Sequence, residues 1–140
     1  MPKPPSSSRW IAGLALLWNL VGLLAVIADL RLSPADIAAL QPAKQALYAA
    51  RPFWSVLASL VAVGGGSAGC AALLFGSRWA LPLLWVSLAG VLLQDIGLFA
   101  VAGAGRAPGV VPLVLQGLVL LIAIALVGYA RRGIQKGWLC

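Results

Sequence analysis

The sequence contains no glutamate and no histidine, and its three acidic residues are all aspartates. These absences exclude most zinc and di-iron sites and all histidine-based acid–base catalysis. The two cysteines, Cys70 and Cys140, form neither a CxxC motif nor a disulfide framework. The glycine run Gly64–Gly66 lies inside an apolar stretch and has no phosphate-loop signature. We therefore expect no catalytic site, no metal and no cofactor.

Charge is scarce as well. Only 9% of the residues are charged and 62% are hydrophobic, whereas a soluble domain carries about 25% charged residues. The net charge of +7 comes from basic residues at the ends of long apolar runs, where such residues anchor a protein to lipid headgroups. This placement predicts an integral membrane protein whose partner is the lipid bilayer, and it argues against binding to nucleic acid.

Four apolar runs have about the length that a helix needs to cross a bilayer. They cover residues 10–28, 53–75, 79–101 and 110–130, between a Pro/Ser-rich tail (1–9) that we expect to be disordered and a basic tail (131–140). We predict one transmembrane domain over residues 1–140, an all-α, up-and-down four-helix bundle. Alternatively, the first run is a signal peptide cleaved after Val26-Ile27-Ala28. Its length and the central Asn19 favour a retained span.

The longest polar segment joins the first two spans. Ser33, Pro34 and Asp36 have the pattern of a helix start, with a serine cap, a proline in the first turn and a carboxylate near the helix dipole. Apolar residues follow at helical spacing, and Pro42 interrupts them: Ile37, Leu40, Ala43 and Leu47. We predict one or two short interfacial helices. A lid over a cavity is the alternative.

The basic residues also predict topology. An even number of spans places both termini on one side of the membrane. Six basic residues lie on that side, Lys3, Arg9, Arg78, Arg131, Arg132 and Lys136, against four on the other, Arg31, Lys44, Arg51 and Arg106. The positive-inside rule then favours cytoplasmic termini. Aromatic residues near the predicted span ends fit an interfacial belt: Trp10, Trp54, Trp79, Tyr129 and Trp138.

Small residues recur three and four apart along the spans, the period of a left-handed bundle. Helices in lipid associate through such close-packing surfaces. The glycines that we expect at helix contacts are Gly22, Gly65, Gly66, Gly69, Gly90 and Gly97.

Asp95 is the only ionisable side chain well inside an apolar run. A carboxylate there is unfavourable by about 2.5–3.5 kcal/mol unless it is sheltered, paired or protonated. At 1.5 Å per residue, Asp95 and Gln116 both lie roughly 6–7 Å from the membrane midplane, toward the side opposite the termini. Ser59 falls at a matching depth and Asn19 about a turn deeper.

We therefore predict a polar layer formed by Ser59, Gln94 or Asp95, and Gln116, near Asn19. The layer either holds the helices together by hydrogen bonds or forms a proton, cation or solute site. Arg51 and Arg106 are within reach of Asp95 if they extend along the membrane. Near the interface, we expect Asp29 to pair with Arg31 or to be solvated.

Short motifs along nearly the whole chain support a resemblance: Trp18-Asn19-Leu20-Val21-Gly22, Ala46-Leu47-Tyr48 with Arg51-Pro52-Phe53-Trp54, Gly65–Gly69, Arg78-Trp79-Ala80, Ser87-Leu88, Gln94 and Lys136-Gly137-Trp138-Leu139. In these motifs the chain resembles a family of small four-span bacterial inner-membrane proteins often labelled sugar transporters. The resemblance implies the inner membrane as location. The chain is also similar in size to small multidrug-resistance transporters, but those carry a glutamate in the first span, where this chain has only Asn19.

Two functions are compatible with these features. The first is a small transporter-like or solute-binding membrane protein with the polar layer as its site. The second is a non-transporting structural or accessory subunit, and in either case a homo-oligomer or another membrane subunit is a candidate partner. A wet cavity lined by Asp95 favours the first. A filled bundle with an exposed Gly/Ala face on the second span favours the second.

Overall fold

The computed structural model describes residues 3–101 and 111–140, and the described residues form only helices and their connections. The helices are α1 (Ser6–Leu30), α2 (Pro34–Ala38), α3 (Pro42–Ala50), α4 (Phe53–Leu74), α5 (Ala80–Asp95), a π-helix (Ile96–Val101) and α6 (Val111–Gln135). The predicted all-α fold with short helices after the first span is confirmed.

Within the described part, four helical segments are long and apolar enough to cross a membrane: Ser6–Leu30, Phe53–Leu74, Ala80–Ala100 and Val114–Gln135. Large apolar side chains point outward from them. On α1, for example, Leu14, Val21 and Leu24 are each more than half exposed. Because such a surface is stable only in an apolar solvent, the chain is a four-span integral membrane protein.

Helix α4 packs on both α1 and α5, and α5 packs in turn on α6. Helices α4 and α5 approach each other closely at Gly90. A Cβ atom on Gly90 would stand 2.7 Å from the Ala62 backbone nitrogen and 2.8 Å from the Ala58 carbonyl oxygen. Only glycine allows two helix backbones to come this near. The order α1–α4–α5–α6 follows from these contacts, with α1 and α6 at its two ends.

The remaining predicted packing glycines also lie near neighbouring helices. A Cβ atom on each would come within 3.3 Å of another element: Gly22 meets Val63, Gly65 meets Leu83 and Ser87, Gly66 meets Asn19, Gly69 meets Leu84, and Gly97 meets Ser55. The α4 surface toward α1 and α5 is therefore built for close helix contact.

The end of the bundle that holds both termini is tightly closed. Gly76 and Gly137 have positive φ and terminate α4 and α6 in Schellman motifs, each with the two hydrogen bonds of that turn. The chain after Gly137 then folds back onto the turn after α4. The Arg78 amide donates to the Cys140 carbonyl at 2.8 Å, and the Cys140 amide donates to the Gly76 carbonyl at 3.0 Å.

Both predicted tails therefore contain ordered structure. Helix α1 already begins at Ser6, so helix occupies part of the segment that we expected to be disordered, and α6 continues to Gln135. Trp138, expected in the interfacial belt, is only 7% exposed, and its ring lies 5.6 Å from that of Tyr129. The positive φ of Gly137 turns the chain inward and buries the indole.

The third span changes its winding after Asp95, where α5 gives way to the π-helix. A π-helix places one extra residue in a turn and changes which side chains face the neighbouring helix. Gly97, in its first turn, stands against Ser55 of α4. The predicted loop at residues 103–109, including Arg106, lies outside the described residues.

The connection after α1 follows the predicted pattern. Ser33 caps α2 by accepting a hydrogen bond from the Asp36 amide at 3.1 Å, while the Asp36 carboxylate accepts one from the Ser33 amide at 2.9 Å. The bond from the Ser33 amide, and then a second one that the Ser33 hydroxyl donates to the carboxylate at 2.8 Å, hold the pKa of Asp36 below its usual value. The helix run breaks before Pro42, which begins α3.

Candidate functional site

A cleft of about 290 Å³ lies between α1 and α6 and has its floor on α4 and α5. Most of its walls are aliphatic, and its polar groups are the side chains of Asn19, Ser87, Gln94 and Gln116. Among the residues that the structure describes, no ionisable side chain lines it. We call this space the inner cleft.

The inner cleft lies in the half of the bundle away from the termini. Toward the termini, Ala12 and Ala15 of α1 and Ala130 of α6 belong to one buried cluster. The cleft walls begin at Trp18 on α1 and reach Leu126 on α6. Since α1 and α6 run in opposite directions, the bundle is filled near the termini and open toward the other side.

Asn19 is fixed in the α1 wall of the inner cleft. Its Nδ2 atom donates to the Ala15 carbonyl at 2.8 Å and to the Cys70 sulfur at 3.6 Å. Its Oδ1 atom occupies the space beside Gly66 where a Cβ atom would otherwise lie. Nearby, the Ser87 hydroxyl donates to the Ala62 carbonyl at 2.6 Å. The donor groups of Asn19 and Ser87 are thus hydrogen-bonded within the bundle. Asn19 connects α1 to α4, and Ser87 connects α5 to α4.

Gln94 and Gln116 join α5 to α6. The Gln94 Nε2 atom donates to the Gln116 Oε1 atom at 3.0 Å, and both side chains are half-buried. Each also lines a second cavity of about 320 Å³ nearer the end opposite the termini. The amide pair therefore marks the boundary between two cavities.

This second cavity, the outer chamber, has a different chemical character. Its walls include Asp29, Arg51, Ser55 and Ser59, and it shares Ala25, Val26, Gln94 and Gln116 with the inner cleft. The Ser59 hydroxyl donates to the Ser55 carbonyl at 3.0 Å. A solute moving from the outer chamber to the inner cleft would pass from charged and hydroxyl groups, past two amides, to an aliphatic surface.

An ion pair stands at the wall of the outer chamber. The Arg51 guanidinium contacts the Asp29 carboxylate at 2.8 Å, and both side chains are 25% exposed. The expectation that Asp29 pairs with Arg31 or is solvated is wrong. Residues two apart on a helix do not face each other, whereas the end of α3 brings Arg51 directly to Asp29.

Tyr48 completes this cluster. Its hydroxyl donates to the second Asp29 oxygen, and its ring lies 5.0 Å from the Arg51 guanidinium carbon. Partial burial, and then the bond to Asp29, raise the pKa of Tyr48 above its ordinary value of 10.0. Tyr48 and Arg51 are three residues apart, a spacing that puts them on one side of a helix. That spacing is the signal that sequence reasoning missed.

The structure thus brings Ser59, Gln94 and Gln116 to one chamber and places Asn19 in the adjoining cleft. Asp95 lines neither cavity, because it is rotated about 100° around the helix from Gln94. Its Oδ1 atom is buried and has no hydrogen-bond partner among the described residues. Arg51, one of the two partners expected for Asp95, forms its ion pair with Asp29 instead.

Comparison with protein-family models, with curated proteins and with solved structures gives no match. The geometry of the two cavities therefore carries the functional argument.

Proposed function

We propose that the protein is a small solute-binding membrane protein of transporter-like architecture, with its ligand in the inner cleft. The observation that carries this proposal is an unfilled space of about 290 Å³ above the close contact between α4 and α5. Ligand pockets begin at about 300 Å³, and they combine an apolar lining with a few polar groups. The cleft has this composition.

The lining restricts the ligand class. Because no charged side chain of the described residues lines the inner cleft, an ion entering it would lose its hydration without compensation from them. A small, neutral, mainly apolar solute fits this surface best. The outer chamber supplies a polar route toward the cleft from the side opposite the termini, which the basic residues predict to be the non-cytoplasmic side. The resemblance implies that the membrane is a bacterial inner membrane.

The second candidate, an accessory subunit, is supported by a different observation. Gly64 and Ala68 are exposed on α4, four residues apart, and a Cβ atom on Gly64 would meet nothing within 4 Å. A small-xxx-small face of this kind is a common contact between membrane helices. It does not explain the cleft, however, which lies between α1 and α6.

The proposal is tested by filling the cleft. Val119 lines it, whereas the adjacent Leu118 is absent from the lining and 42% exposed. We expect methyl 4-fluorobenzoate, followed by ¹⁹F NMR in detergent, to show saturable binding to the parent protein and to Leu118→Trp. Val119→Trp should lose that saturable signal and retain only partitioning into the micelles. Equal signals from the two tryptophan variants, or no saturable signal from the parent, would reject the cleft as a binding site.

A further inference from the structure

We infer that the Gln94–Gln116 pair is a recognition site for a carboxamide-like group, that is, a hydrogen-bond acceptor and an N–H donor side by side. The inference rests on the proposed function and specifies its ligand class: a neutral solute with a primary or secondary amide, or a urea, attached to an apolar body.

The hydrogen-bonding capacity of the two amides carries the first step. Each glutamine amide has one acceptor oxygen and a nitrogen with two donor hydrogens. The pair forms one hydrogen bond, from Gln94 Nε2 to Gln116 Oε1. The described structure gives no partner to the Gln94 oxygen or to the Gln116 nitrogen. Either direction of the shared bond leaves the same pattern among the described residues, one amide oxygen and one amide nitrogen without a partner on adjacent side chains.

The position of these groups carries the second step. Both side chains are half-buried and line both cavities, so their remaining polar atoms are accessible to a solute. A carboxamide presents the complementary pattern, since its N–H donates to the Gln94 oxygen and its carbonyl accepts from the Gln116 nitrogen. An ester of the same shape has no donor and leaves the Gln94 oxygen unpaired, which is unfavourable away from water.

The surroundings set the rest of the ligand. On the inner side of the pair the walls are aliphatic, including Val91, Leu115 and Val119. The charged residues among the described lining, Asp29 and Arg51, lie in the outer chamber and neutralise each other. A solute held by its amide would thus place an apolar body in the inner cleft. A net charge on the solute would not strengthen its binding.

The test compares 4-fluorobenzamide with methyl 4-fluorobenzoate by ¹⁹F NMR titration. We expect the ratio of their dissociation constants to shift roughly tenfold toward the ester when both glutamines are replaced (Gln94→Met/Gln116→Met), the effect of about one net hydrogen bond. Because the ratio is compared between proteins in the same micelles, partitioning of the two probes cancels. Gln135→Met, exposed at the far end of α6, should leave the ratio unchanged.

A further variant guards against loss of folding. Gln116→Glu keeps an oxygen for the Gln94 donor but removes the donor that binds the carbonyl of either probe. It should therefore weaken both probes and retain the preference for the amide, which depends on the Gln94 oxygen. If both probes bind the parent and the ratio is the same in all variants, the recognition site is refuted while the cleft stands. If neither probe binds the parent, the proposed function fails with it.

Discussion

The contact between Asn19 and Gly66 predicts how the bundle responds to a single added methyl group. In Gly66→Ala, the new Cβ atom would lie 2.0 Å from Asn19 Oδ1 and 2.8 Å from its Cγ, far inside a van der Waals contact of about 3.5 Å. Asn19 cannot rotate away freely, because its amide nitrogen is bound to the Ala15 carbonyl and the Cys70 sulfur.

The magnitude follows from these contacts. Overpacking a close-packed site is unfavourable by about 1–3 kcal/mol, and release of Asn19 would sacrifice two hydrogen bonds of roughly 0.6 kcal/mol each. Gly64→Ala is the matched control, since it lies two residues away on α4 and a Cβ atom there meets nothing within 4 Å. Any gain in helix propensity is common to both variants. Gly66→Ala should therefore be less stable than Gly64→Ala by about 2–4 kcal/mol.

The assay is the free energy of unfolding in mixed SDS–detergent micelles, followed by circular dichroism. Asn19→Ala should rescue Gly66→Ala in part, because it removes the overlapping group, giving a coupling energy of about 1–3 kcal/mol in a double-mutant cycle. If Gly66→Ala is as stable as Gly64→Ala, or if the two substitutions at Asn19 and Gly66 are additive, the packing described for this contact is wrong.

Three further substitutions probe other parts of the fold. Gly90→Ala should lower stability by more than about 3 kcal/mol because its Cβ would strike the α4 backbone, while Gly117→Ala, with open space around it, should have little effect on the same unfolding assay. Asp95→Leu should leave thermal stability unchanged or raise it, since it removes a buried oxygen that has no partner among the described residues; a clear loss would show that the carboxylate holds helices together. Because the pKa of Tyr48 is raised, the stability that its hydroxyl contributes is complete below about pH 10 and is lost as the pH rises further. The loss of stability at alkaline pH should therefore be smaller in Tyr48→Phe. Equal pH profiles of the parent and this variant would contradict the contact between Tyr48 and Asp29.

Hydropathy and local chemistry were sufficient to predict much of the fold. The spans follow from the length of the apolar runs, and the start of α2 follows from Ser33 and Asp36, whose capping bonds are formed. The C-terminal fold-back was not predicted. Gly137 offered a signal, since glycine after a helix often adopts positive φ, but the place where Trp138 docks depends on the turn after α4.

The candidate site was less accessible to sequence reasoning. Depth along the helices identified Gln116 and Ser59, but depth does not distinguish Gln94 from Asp95, which differ by one step of about 100° around α5. That rotation is set by packing against α4, and it puts Gln94 in the cavities. The pair of Asp29 with Arg51 likewise depends on the tertiary position of α3, and no local spacing within α1 predicts it.

The most direct test of the inner cleft is the reactivity of cysteines placed at two neighbouring positions on α6. In a Cys70→Ala/Cys140→Ser background, Val119→Cys and Leu118→Cys are treated with a neutral, water-soluble methanethiosulfonate. A thiol surrounded by lipid stays protonated and reacts slowly, whereas one reached by water reacts faster. Val119→Cys should be modified much faster than Leu118→Cys, and methyl 4-fluorobenzoate should slow its modification. Equal, slow modification at both positions would show that no accessible cleft exists between α1 and α6.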